Sequence, residues 1–406
     1  MPRMGEPVVS TEGVLPLEGV TVVALEQAVA GPLASRNLAD LGARVIKLER
    51  PGEGDFARHY DHEVHGLATH FVWLNRGKES FEVDLKSPDG QRLVRALLAR
   101  ADVFLHNTAP GVVERLGLDG ETLRAAHPRL IVLNISGYGS AGPRKDRKAY
   151  DMLVQAESGM VAVTGTPETA TKTGVPTADI AAGLYAAMSV LSALFRRERT
   201  GLGAVIDVSM FDAAVEWMGH PLYMQLYGGR QIPRMGLSHA AIAPYDAYPT
   251  ADGQILIGVQ NDRGWRTLVA EVFGRPEYAD DPRFATNVNR VAHRAECDAV
   301  VAECTSSWST AKLDERLAEV GIPAAQINST ADVLEHPQLV ERDRWRTVQT
   351  EAGEIRGVLP PMTFRDVELP MGPVPALGEH SAAIRAELQP PEADPAVPAG
   401  AEASDV

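Results

Sequence analysis

Cysteine is nearly absent: Cys297 and Cys304 are the two in 406 residues. Both fall on one expected helix, with no CxxC pair and no disulfide framework, which fits a reducing compartment. Excess positive charge is lacking too. The 39 Lys and Arg against 54 Asp and Glu leave a net charge of -15, which excludes a broad nucleic-acid surface but not a local basic site for one phosphorylated ligand. No uninterrupted apolar run approaches the ~20 residues that cross a bilayer. The opening residues, Met1-Pro2-Arg3-Met4-Gly5-Glu6-Pro7, have no apolar h-region, so no secretory signal and a cytoplasmic location are expected. Walker A, HExxH and GxSxG patterns are missing, which removes the P-loop, zincin and nucleophile-elbow readings. What remains is 45% hydrophobic and 23% charged, ordinary for a soluble globular chain. Its length predicts two or three domains of roughly 150 residues each.

The first half alternates strands and helices. Leu17 to Leu25 is a β-branched strand, Leu33 to Leu41 a helix, and Gly42 to Glu49 a second strand. That spacing is a βαβ unit and implies a parallel sheet. Further strands are expected at Phe81–Leu85, Val103–Asn107, Leu130–Ser136 and Ala204–Ser209, with a helix from Ser87 through Leu98. A helix from Met210 to about Leu226 leads to Gly228-Gly229-Arg230, an expected boundary. Beyond it, Tyr245–Pro249 and Gln254–Val259 form a hairpin signal around Ala251-Asp252-Gly253. Helices are expected at Trp265–Phe273, Arg290–Cys304, Ser309–Val320 and Asp332–Arg344, with Gly321–Ile327 a strand and Arg356–Phe364 extended.

Gly137-Tyr138-Gly139-Ser140-Ala141-Gly142 matches GxGxxG after a strand. A dinucleotide fingerprint should open a helix at the first βαβ turn. Here a basic loop, Pro143 to Lys148, follows a late strand, so the fingerprint is rejected. Either a solvated turn or a phosphate-contacting loop remains. His59, His62, His65 and His70 form a cluster whose spacing admits a metal, but no cysteine joins them and Gly66 interrupts the run. A polar loop is the favoured reading. Asp179 lies where Gly174-Val175-Pro176 gives way to a helix rich in Ala and Leu that ends at Arg196–Gly201. It reads as an N-cap or, because helix N-termini stabilise negative charge, as a nucleophile. The small residues Ala181, Ala182, Gly183, Ala186 and Ala187 let a partner approach this helix closely.

Several stretches, taken in order, resemble the family III CoA-transferases, which also include formyl-CoA transferase and α-methylacyl-CoA racemase. They are Leu25–Pro32, Val45–Arg50 with Gly54-Asp55, Leu74–Lys78, Asn107–Arg115, Ser136–Pro143, Tyr150-Asp151, Thr177–Gly183, Gly321–Pro323, His336–Gln338 and Leu377–His380. The resemblance implies transfer of CoA from an acyl-CoA thioester to a small carboxylic acid. Asp179 matches the catalytic nucleophile, passing through an aspartyl anhydride and an aspartyl-CoA thioester. Gln27, with Ala28, would face the reacting carbonyl. Arg50, Lys78, Arg115 and Lys148 would meet phosphates or nucleotide, while Leu74, Asn107, Thr108, Tyr150 and Asp151 complete the implied CoA contacts.

The racemases of this family resemble one another in a His before the Asp at position 151; here it is Tyr150, a poor base, which disfavours the alternative of an α-methylacyl-CoA racemase or epimerase. Arg234-Met235-Gly236-Leu237-Ser238-His239 is similar to members handling small dicarboxylates such as succinate, itaconate or mesaconate. Arg234 or His239 would hold the second carboxylate, unless this stretch is only a hinge. The expected cofactor is CoA as its thioester, with no metal, nucleic acid or membrane partner. The expected fold is α/β, a Rossmann-like large domain plus a smaller α+β domain in an intertwined, ring-like homodimer. Its expected parts are a flexible arm at 1–16, a large domain at 17–226, a small domain at 227–330, a returning segment at 331–388 and a disordered tail at 389–406.

Overall fold

The computed structural model describes residues 13–389. Most of the expected arm and tail therefore lie outside the described residues. The β-branched runs become six parallel strands: β1 (Thr21–Leu25), β2 (Arg44–Glu49), β3 (Lys78–Glu82), β4 (Val103–His106), β5 (Ile131–Ser136) and β6 (Val205–Ser209). Their order is β3-β2-β1-β4-β5-β6, the doubly wound arrangement. Every pairing is parallel, so each strand needs a crossover and both faces are covered. On one face Val23, Ile46, Phe81, Phe104 and Val132 pack with Leu93, Leu97, Ile384 and Leu388. The other face carries helix α1 (Ala30–Asp40) and a long helix (Thr177–Thr200), which run against each other.

The strand order reverses between β1 and β4. In such sheets the crevice beyond the strand C-termini at that point is where ligands bind. The edge strand β3 is closed by the returning C-terminal segment. Its Ser80 carbonyl accepts from the His380 amide at 3.1 Å, and the Glu82 amide donates to Ser381 Oγ at 3.0 Å.

The chain divides into two compact units. One holds residues up to Val154, Pro176–Ala214 and the segment from Trp345; the other holds Gln155–Val175 and Val215–Arg344. These bounds differ from the expected 17–226, 227–330 and 331–388. In the second unit, β7 (Tyr245–Pro249), β8 (Gln254–Gly258) and β9 (Ala324–Gln326) form an antiparallel sheet around Ile255, Ile257, Trp265, Phe284 and Leu313.

Several expected elements are corrected. The helix expected from Met210 divides into Met210–Trp217 and Gly219–Gly228 at Met218. The one expected over Asp332–Arg344 is two short turns, Thr330–Leu334 and Pro337–Val340, because Pro337 cannot continue a preceding helix. Arg356–Phe364 is extended only at its start. There β11 (Gly353–Val358) pairs with β10 (Trp345–Thr350) in a hairpin that the sequence reading lacks. The long helix meets the length and hydropathy of a membrane span, but half of that stretch is buried in the protein.

Candidate functional site

The end of β1 runs through Glu26, Gln27, Ala28 and Val29 into α1. Beside it, β4 ends at His106 and continues into Asn107 and Thr108. The two ends are joined by one side chain. Asn107 Oδ1 accepts the Gln27 amide at 2.9 Å, and Asn107 Nδ2 donates to the Gln27 carbonyl at 2.8 Å. Gly31 permits this approach: a Cβ there would lie 3.1 Å from Asn107 Cγ and 3.0 Å from Glu26 Cβ.

Ala28 has φ of 62°, a left-handed conformation that costs a residue with a Cβ on the order of 1–3 kcal/mol. Its amide donates to Asp55 Oδ1 at 3.2 Å. Beneath lies a charged network. Asp55 Oδ2 accepts from Lys47 Nζ at 2.9 Å, and Glu26 Oε1 accepts from Lys78 Nζ at 2.7 Å and Ser35 Oγ at 2.9 Å. The side chains of Glu26, Lys47, Asp55 and Lys78 are all fully buried. Burial opposes ionisation of Glu26, but Lys78 and Lys47 outweigh it and hold the carboxyl below its usual range. For Lys47, Asp55 and Glu26 likewise outweigh burial and raise the ammonium. Burial, with Lys47 alongside, pulls Lys78 down to about 7.

Asp179 is not an N-cap. The long helix begins at Thr177 after Pro176, and Asp179 stands in its first turn. The capping is done from elsewhere: Asp151 Oδ1 accepts the Ala178 amide at 2.8 Å and the Asp179 amide at 3.4 Å. Asp179 is half-buried, and the backbone amide of Ala30, the first residue of α1, favours its ionised form. Burial and the nearby Asp151 carboxylate raise its pKa to about 7, against the lowering effect of that amide. The small residues of the long helix serve this contact. A Cβ on Gly183 would lie 2.9 Å from the Ala30 carbonyl oxygen and 3.0 Å from Leu33 Cβ, so the partner admitted closely is α1 itself.

Other expected site residues divide into three groups. Arg50, Thr108 and Lys148 stand in the loops following β2, β4 and β5, at the same end of the parallel sheet as Gln27 and Ala28. Arg50 pairs with Glu53 at 2.6 Å, Thr108 Oγ1 lies 3.4 Å from His106 Nδ1, and Lys148, Arg115 and Tyr150 are exposed. Leu74 and Lys78 do not present side chains to a ligand. Leu74 is sealed among Val29, Leu33 and Ile180, and the Lys78 ammonium is turned onto Glu26. Arg234 and His239 belong to the second unit. There Arg234 donates to the Thr166 and Pro167 carbonyls at 2.9 Å each, and His239 stacks on Tyr245.

Tyr60 was missed by sequence reasoning. Burial and the charges of Asp55, Asp179 and Tyr150 raise its hydroxyl to about 12. It sits in the histidine run and meets His70 edge-on. Among the described residues no three His, Cys, Asp or Glu side chains are grouped to hold a metal ion.

The arrangement places one carboxylate at a helix N-terminus, at the open end of a nucleotide-type sheet. Comparison with known proteins adds the following. The sequence profile of CoA-transferase family III matches residues 17–381. A succinate–glutarate CoA-transferase of Agrobacterium fabrum is 37% identical, covering 92% of this chain and 96% of its own length. The human succinyl-CoA:glutarate CoA-transferase is 33% identical, covering 95% and 88%. A CaiB/BaiF family protein from Brucella suis superposes with a TM-score of 0.82 at 40% identity, covering 92% of this chain and all of that one.

Proposed function

Because this chain belongs to CoA-transferase family III, we propose that it carries CoA from an acyl-CoA thioester to a small dicarboxylic acid, with Asp179 as the group acylated in between. The Asp179 carboxylate attacks the donor thioester carbonyl. The carbon–sulfur bond breaks, CoA leaves as thiolate, and a mixed anhydride forms. The thiolate then attacks the aspartyl carbonyl, releasing the donor acid and leaving an aspartyl-CoA thioester. The acceptor carboxylate attacks that thioester in turn. The returning thiolate collects the acceptor acyl group and frees Asp179, with no net proton taken up. Each half replaces one unfavourable exchange between a carboxylate and a thioester with two steps inside one site.

The observation that carries this reading is the Asp179 carboxyl at the N-terminus of α1, at the sheet end where Gln27 and Asn107 meet. Acylation removes a negative charge that burial and Asp151 disfavour, so the ground state is raised relative to the adduct. The relatives named for succinate and glutarate support a four- or five-carbon dicarboxylate as substrate. Arg50, Arg115 and Lys148 are the exposed cations offered to the CoA phosphates.

The proposal includes a second copy of the chain. Leu184, Met188, Leu191 and Phe195 make an exposed apolar stripe along the long helix, with Phe195 63% exposed, and its other face is already packed.

The test mixes the enzyme with succinyl-CoA and glutarate and follows both CoA esters, then measures intact protein mass without acceptor. Exchange in the wild type, none in Asp179→Ala, and a CoA adduct that maps to Asp179 are expected. Full exchange by Asp179→Ala overturns the assignment. Entry of solvent deuterium at the α-carbon of an acyl-CoA without any acceptor would replace it with racemisation.

A further inference from the structure

The loop between β1 and α1 is held in a costly conformation by groups that the transfer chemistry does not itself require. Its two central amides are both engaged inside the protein, Gln27 with Asn107 Oδ1 and Ala28 with Asp55 Oδ1. The tethers come from opposite sides, one from the end of β4 and one from the loop after β2. Asp55 is immobilised in turn. Its own amide donates to Glu49 Oε1 at 3.0 Å, its Oδ1 also accepts from Ala57, and its Oδ2 holds the buried Lys47. Helix α1 has no capping side chain and no acidic residue in its first turn. Its N-terminus instead abuts the long helix at Gly183, and the Ala30 amide, two residues beyond the left-handed Ala28, favours the charged form of Asp179.

We propose that Asp55 and Asn107 are positioning residues: together they fix Ala28 in its left-handed conformation and so aim the first amide of α1 at Asp179. This rests on the reading of Asp179 as the acylated group. Rotation about Ala28 to an ordinary φ swings the following peptides, and with them the Ala30 amide, away from the carboxyl. The same clamp decides which donor the loop can offer to a thioester oxygen. With both backbone amides engaged, the Gln27 side-chain amide is left. It makes no hydrogen bond among the described residues, and Gln27 is half-buried. Buried ion networks return little stability for the desolvation they cost. Here the return is a fixed backbone at the reacting end of the sheet.

The test compares four enzymes. Lys47→Met with Asp55→Asn keeps an acceptor for Ala28 and leaves no ammonium facing the new amide. The pair Lys47→Met/Asp55→Ala removes the acceptor without stranding a buried ammonium. The third adds Ala28→Gly to that pair, since glycine adopts positive φ without a Cβ penalty. The fourth is the wild type. The pair is expected to lose about 100-fold in the rate of Asp179 acylation, with the KM for succinyl-CoA within about threefold, as misplacement of a reacting group does. Ala28→Gly should restore about tenfold of that loss, and Lys47→Met with Asp55→Asn should stay within about fivefold of wild type. The pH midpoint of acylation should rise in the pair, because Asp179 has lost an amide that favours its charged form. Amide hydrogen exchange over residues 26–33, measured without substrate, should be faster in the pair and slowed again by Ala28→Gly. Unchanged acylation and exchange in the pair overturn the clamp, as does failure of Ala28→Gly to restore either. A wild type that never moves CoA overturns the functional reading instead, and the exchange measurement then decides the clamp alone.

Discussion

At Asp179 the protein holds a carboxyl whose ionised form the proposed transfer needs and whose surroundings oppose it. The folded pKa of about 7 stands above the unfolded value near 3.8, so the ionised form is the one folding disfavours. The stability Asp179 contributes is therefore complete below about pH 4 and lost as pH climbs through 7. Asp179→Asn should stabilise the fold at pH 8 by roughly 1–3 kcal/mol, allowing for the solvent that reaches this half-buried group, and by nearly nothing at pH 3.5. Thermal unfolding at the two pH values checks this. Asp151→Asn keeps the acceptor for the Ala178 amide but removes the like charge. It should move the rise of acylation rate to lower pH, read from single-turnover rates between about pH 5 and 9. At this scale the place of Asp179 in the opening turn of an Ala-rich helix was legible, since that is a local pattern. It did not show what faces that carboxylate. Ala30 lies far away in the chain, and only packing brings it there. Lys78 misled for the same reason: nothing local distinguishes a lysine that meets a phosphate from one that meets Glu26.

The two helices that carry Ala30 and Asp179 meet at Gly183. A methyl group there would press on the Ala30 carbonyl, which is backbone and cannot rotate aside. Helix propensity favours Gly183→Ala by about 1 kcal/mol, while overpacking costs about 1–3 kcal/mol. The clash should win, lowering the denaturant midpoint and slowing acylation together as α1 is pushed from Asp179. Elements were legible where pattern is strong. The βαβ spacing located β1, α1 and β2 within a few residues. Elements failed where breakers act inside a periodic stretch, as at Gly219-His220-Pro221 and Pro337, or where a strand carries little apolar alternation. The hairpin of β10 and β11 mixes Arg346, Glu354 and Arg356 with few buried residues, Val348 among them, so β10 carries no strand signal and β11 only a partial one.

Across the whole molecule, the parallel sheet and its reversal between β1 and β4 put Gln27, Ala28, Arg50, Thr108 and Lys148 at one end. That gathering follows from topology and could be anticipated once the βαβ order was read. The exposed stripe on the long helix was not anticipated, because alanine and leucine on both faces hide which face is free. Phe195→Asp should convert a dimer to monomer, checked by sedimentation velocity at micromolar concentration, while leaving the core beneath intact.

The closure of β3 by the helix Ser381–Leu388 has a consequence for synthesis. Residues 377–388 reach the ribosome exit after every strand of the sheet, yet they cover Phe81 and satisfy the outer amides of Ser80 and Glu82. A nascent chain therefore carries an open, pairing-competent border until those residues have emerged. Trimming those final turns should leave a protein whose defect is self-association rather than slow chemistry.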